Sequence, residues 1–132
     1  MDTLEEFQLV VAALGGMALL MLIQILVVDI LGIRNKHVPG TPVDANHNSL
    51  FFRAGRTVAN TNESIAVFIL AVFFCVLAEA SSLLTAYAAW GFVVSRIMYA
   101  AFYYSNLKLL RSTVFGISLL FIFALLVIGL LF

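Results

Sequence analysis

Two short runs of polar side chains have the types and spacing to hold a small anion. In the first, Arg53, Arg56, Asn60 and Glu63 follow one another at intervals of three and four residues. A helix turning about 100° per residue places Arg53 at about 60°, Asn60 at about 40° and Glu63 at about −20° from Arg56, all on one narrow face. In the second run, Tyr99 and Tyr103 fall at about −60° and −20° from Arg96, again on one face. Arg111 follows, just before the last apolar segment. Arginine stays charged in any surroundings and grips a carboxylate through two parallel hydrogen bonds. Two arginine-bearing faces, with a further arginine at the same depth, describe a pocket for a small anion.

The elements that carry these faces are apolar. Of the 132 residues, 64% are hydrophobic and only 11% are charged, where a globular domain is near half apolar and a quarter charged. Crossing a hydrocarbon core of roughly 30 Å takes about 20 residues of helix. Leu9 to Val28, broken only by Gln24, meets that length, as do Thr113 to Phe132 and Leu83 to Tyr104, the last with one charge at Arg96. Ser64 to Ala78 reaches it only if its helix runs back through Glu63 and Asn60 towards Arg56, which draws polar groups into the membrane. The expectation is an all-α membrane protein, a bundle of four transmembrane helices over 8–32, 55–78, 83–106 and 112–132, forming one domain. Continuous apolar runs exclude a β-barrel. The acids Asp2, Glu5 and Glu6 before the first run, and its length, argue against a cleaved signal peptide. Cys75, the only cysteine, reads as a small hydrophobe.

Net charge is zero, but Arg34, Lys36, Arg53 and Arg56 flank the first connection, and Lys108 and Arg111 lie in the third. The positive-inside rule then puts these connections in the cytoplasm and both termini on the other side. The first connection, Gly32 to Leu50, holds Pro39, Gly40 and Pro42 and is expected to be irregular. The other two are short, so consecutive helices lie antiparallel. Small residues (Ala12, Gly15, Gly16; Ala86, Ala89, Gly91) mark places for close helix approach.

Each polar residue also has a plainer reading. Arg53, Arg56, Lys108 and Arg111 serve equally as interfacial anchors, Asn60 and Glu63 as ties between helices, and Tyr99, Tyr103 and Trp90 as belt residues. Arg96 is too far from its helix end for this and needs an acid, with Glu63 as the candidate.

The stretch Arg53-Ala-Gly-Arg-Thr-Val-Ala-Asn-Thr-Asn-Glu63 resembles the helix-two signature of the membrane-associated proteins in eicosanoid and glutathione metabolism. Arg96-Ile-Met-Tyr99-Ala-Ala-Phe-Tyr103 with Leu110-Arg111-Ser112 resembles its helix-three and helix-four signature. The resemblance implies a homotrimer of four-helix subunits with glutathione between neighbours, held by Arg56, Asn60, Glu63, Tyr99 and Tyr103, and a thiol activated by Arg111. Arg53 and Arg96 belong to the same arginine-bearing faces. Glutathione, with two carboxylates and one ammonium, suits several arginines and one glutamate. Its thiolate would attack a lipophilic second substrate arriving through the lipid.

Ser64 stands where leukotriene-forming members carry tyrosine, and Ala66 where proline is common, which argues against an eicosanoid-specific activity. The expected activity is that of a glutathione transferase or peroxidase similar to the bacterial-type and microsomal members. The alternative is a non-catalytic scaffold that binds lipid or a larger membrane complex. A transporter lacks support, since broken helices and paired repeats are missing. No metal and no nucleic-acid partner is expected. Compactness and short termini favour a bacterial inner membrane.

Overall fold

The computed structural model of the chain describes residues 3–132. Asp2, one of the acids flanking the first apolar run, lies outside them. A single helical turn, α1 (Thr3–Glu6), precedes four long helices: α2 (Gln8–Arg34), α3 (Leu50–Leu77), α4 (Ser82–Tyr104) and α5 (Lys108–Leu131). No strand occurs among the described residues. All four long helices have the length and apolar composition to cross a membrane. The chain is an all-α, multi-pass membrane protein.

The polar stripe of the second spanning helix lies well inside it, because α3 begins at Leu50 rather than at 55. Ser49 sets this start: its Oγ accepts from the N–H of Phe52 at 3.4 Å, satisfying one of the orphan donors of the first turn. Arg53 through Glu63 are therefore all helical, and the polar groups ride on a continuous span.

Three of the spanning helices end in the same way. Lys36, Glu79 and Asn106 take positive φ of 53°, 50° and 58°, and the next N–H reaches back to the last turn. His37 N–H bonds to Gly32 O at 3.0 Å, Ala80 N–H to Cys75 O at 3.0 Å and Leu107 N–H to Phe102 O at 2.9 Å. This closes the orphan carbonyls and turns the chain sharply. No glycine occupies these left-handed positions, so none of the three stops is announced by the usual residue.

The helices α3 and α4 each touch the other three spanning helices, and α4 is the most buried of the four. Phe68 of α3 stacks on Phe92 of α4 with centroids 4.2 Å apart. Beyond this pair, away from the polar stripes, the core is mostly apolar: Ala13, Met17, Val72, Cys75 and Leu125 are all buried, and the hydroxyl of the enclosed Thr85 donates to Ser81 O at 2.8 Å. The Cys75 thiol donates to Leu125 O at 3.1 Å and is otherwise a small packing group. Outward-facing Leu70, Leu77, Leu120 and Phe123 are largely exposed, an apolar surface that only acyl chains or another membrane helix would cover.

Close approach is confined to particular glycines. A Cβ on Gly15 would meet nothing within 4 Å, whereas one on Gly16 would contact the Trp90 ring at 3.4 Å. A Cβ on Gly91 would run into the Phe121 ring, fixing the tight α4–α5 contact. Gly91→Ala is expected to destabilise the fold by about 1–3 kcal/mol, the usual range for overpacking a core. Thermal melting of the detergent-purified protein measures this, with Gly15→Ala as an unchanged control.

Candidate functional site

The antiparallel order brings the end of α2, the start of α3, the end of α4 and the start of α5 to one end of the bundle. The polar stripes meet there. Arg96, fully enclosed on α4, donates from Nη2 to Asn60 Oδ1 at 2.7 Å and to Thr61 Oγ1 at 3.1 Å. Its guanidinium also lies over the Tyr99 ring, 4.3 Å from the centroid. Tyr99 meets Tyr103 edge-on at 5.6 Å, and the Arg111 guanidinium covers the other end at 4.0 Å from the Tyr103 centroid. The result is a column, arginine–tyrosine–tyrosine–arginine, climbing from the interior to the first turn of α5. Each cation sits on the negative face of a ring, a contact that gains strength when water is excluded.

Arg53 fastens the rim. Its Nη1 donates to His47 O at 2.7 Å and its Nη2 to Tyr104 O at 3.1 Å. One side chain thus ties the first connection to the end of α4, where unpaired carbonyls favour a cation. His47 in turn stacks over Tyr103, with centroids 6.4 Å and planes 19° apart. Its Nε2 is 3.4 Å from the Tyr103 hydroxyl.

The structure therefore brings Asn60, Arg96, Tyr99, Tyr103 and Arg111 into one column, with Arg53 at its rim. Arg56 and Glu63 stand apart, exposed on the outer face of α3. Glu63 borders an open cavity of about 260 Å³ between α3 and α5, with Ser64, Val67, Phe115 and Leu119. The pairing of Arg96 with Glu63 expected from sequence is not what holds Arg96. The guanidinium faces inward, and the amide of Asn60 and hydroxyl of Thr61 on the inner side of α3 take its hydrogen bonds, while the carboxylate lies on the outer side.

Three contributors escaped the sequence reading. His47 sits in an irregular loop, and tertiary contacts place it: the Arg53 bond to its carbonyl and the packing of its ring against Phe52 and Tyr103. Thr61 is not among the candidate residues read from the sequence, although it follows Asn60 directly. Gln24 was visible as the single break in the first apolar run, and it is now 1% exposed with neither amide atom hydrogen-bonded. Met17 and Met21 of α2 share a small cavity with Ile65 and Phe68 of α3. From Met21 and Ile65, about one further turn along the antiparallel pair leads to Gln24 on α2 and to Thr61 on α3. The Nε and Nη1 of Arg96, and Nη1 of Arg111, are also buried without a protein acceptor. The arginine donors left over here, with Arg53 Nε, outnumber the unpartnered acceptors Gln24 Oε1 and Asn106 Oδ1, as suits an acceptor-rich anion.

Fold and site together define a multi-pass four-helix membrane protein with an internal arginine–tyrosine column at its basic end. The model of the MAPEG family, the membrane-associated proteins in eicosanoid and glutathione metabolism, matches residues 9–131, and the chain belongs to that family. No curated protein matches it.

Proposed function

We propose that the protein is a glutathione-dependent transferase or peroxidase for lipophilic electrophiles, working as a homotrimer with its basic end in the cytoplasm. The observation that carries this reading is Arg111: its guanidinium is held on the Tyr103 ring at 4.0 Å, and its Nη1 is buried with no protein partner. Such a group favours an anionic sulfur over a thiol, and the thiolate is the nucleophile.

The remaining residues supply the grip. Asn60 and the two tyrosines meet peptide groups and carboxylates, and Arg96 keeps Asn60 and Tyr99 in place from behind. Arg56 would hold a glutathione carboxylate and Glu63 the ammonium. Both are exposed on a helix that spans the membrane, where charge is costly unless a partner or a water-filled site covers it. A second copy packed on this face would cover them and complete a site that one chain leaves open. The lipophilic substrate would reach the sulfur laterally, from the bilayer.

The family also includes members acting as scaffolds, and the apolar cavity beside Glu63 would then take a lipid chain. Glutathione titration of the purified protein separates the two. The enzyme reading expects saturable binding in the wild type and its loss in Arg56→Ala. Equal affinity in both would remove Arg56 from the site, and no binding in either would leave the scaffold.

A further inference from the structure

We propose a second binding site, separate from the arginine–tyrosine column: a groove under the first connection that takes a bilayer lipid with a primary-ammonium head group. Two cavities meet there and share His37, Val43 and Phe51 as their common wall. The outer one, about 300 Å³, is bordered by the polar residues Asn35, Asp44, Asn46 and Ser49. The other, about 430 Å³, runs between α2 and the start of α3 and is bordered chiefly by Val28, Gly32, Ile33 and Pro39, with Asp29. A polar chamber and an apolar one side by side across this shared wall, at the end of two spanning helices, match the two parts of an amphiphile.

The loop is built to hold this shape. His37 N–H caps the end of α2 through Gly32 O, and the His37 ring contacts Thr41 O at 3.0 Å and the edge of Phe51 at 5.1 Å. Gly40, with φ of 80°, lets the chain turn over the groove, a conformation that costs other residues more.

The atoms left over select the head group. Asn35 spends its Nδ2 on Leu31 O at 2.7 Å, and Asn46 spends its Oδ1 on the N–H of Asn48 at 3.0 Å. That leaves Asn35 Oδ1 and the Asp44 carboxylate as acceptors for an ammonium, and Asn46 Nδ2 as a donor for a phosphate oxygen. Asp29 and Asp44 border the groove, and no Lys or Arg does, although Arg34, Lys36 and Arg53 lie nearby in sequence. An anionic lipid would meet two carboxylates without a compensating cation. A quaternary ammonium could not donate a hydrogen bond to Asn35 or Asp44. Phosphatidylethanolamine meets both conditions.

The test is native mass spectrometry of the detergent-purified protein with phosphatidylethanolamine, phosphatidylcholine and phosphatidylglycerol of identical acyl chains. The expected result is preferential retention of phosphatidylethanolamine, by about threefold or more, as one partly exposed charge pair can supply. Asp44→Asn on the exposed loop should erase the preference with no change in melting temperature. Val43→Trp, which narrows the shared wall, should lower retention of this lipid. Equal retention of the three lipids, or a preference unchanged in Asp44→Asn, would overturn the proposal, as would finding the groove covered by a second copy in the assembled protein. None of these readouts uses glutathione, so the result stands apart from the proposed activity.

Discussion

Arg111→Ala is expected to lower turnover with glutathione by about 10²–10³-fold, the usual consequence of removing one preorganised group that stabilises developing or resident negative charge. The side chain stands at the top of the column, its guanidinium over the Tyr103 ring at 4.0 Å and one buried nitrogen unspent. On the proposed function, its removal would leave a thiol in place of a thiolate and hardly touch the groups proposed to grip the rest of the tripeptide. Glutathione affinity should therefore stay within a few-fold, and the loss should sit in kcat. Arg111→Lys restores the charge but not the planar stacking on the ring, so partial recovery is expected. Steady-state rates with a lipophilic aryl halide, beside equilibrium binding, check this. A fall in affinity that matches the fall in rate would make Arg111 a binding residue only.

Arg96→Met should act the opposite way, on affinity and not on stability. The guanidinium is enclosed, and its Nη2 holds Asn60 at 2.7 Å and Thr61 at 3.1 Å. A hydrogen bond to a charged group contributes about 1.5–3 kcal/mol. If that bond is what orients Asn60 towards the ligand, its loss weakens glutathione binding by roughly tenfold or more. Methionine fills much of the same volume and removes a buried charge that has no acid partner among the described residues, a gain that offsets the cost of leaving Asn60 Oδ1 and Thr61 Oγ1 without their donor. Binding titration and thermal melting on the same preparation separate the two effects. A large drop in melting temperature with unchanged affinity would show Arg96 to be a packing group with no hold on the site.

Much of this architecture was legible in the residues. Apolar run lengths marked the four spans, and the helical period gathered Arg96, Tyr99 and Tyr103 onto one face, which the structure keeps. The extension of the second helix back through Asn60 also followed from length, because Ser64 to Ala78 cannot cross a bilayer alone. The period says which residues share a face but not which neighbour that face meets. Hence Glu63 looked like the natural partner for Arg96, whereas the inner side of α3 offered Asn60 and Thr61. His47 was out of reach for another reason: it lies in a loop, and its place over Tyr103 depends on a tertiary bond from Arg53 to its own carbonyl. Gln24 showed as an anomaly in an apolar run, but only the packing of the helices shows its amide enclosed without a hydrogen-bond partner.

The most direct test of the central claim is the ultraviolet difference spectrum on adding glutathione to the detergent-purified protein near neutral pH. A saturable thiolate band is expected, because Arg111 in its proposed role would hold the sulfur as an anion well below the pH at which free glutathione ionises. Absence of that band at millimolar glutathione would contradict that role, and the arginine–tyrosine column would then be a structural feature of a membrane scaffold.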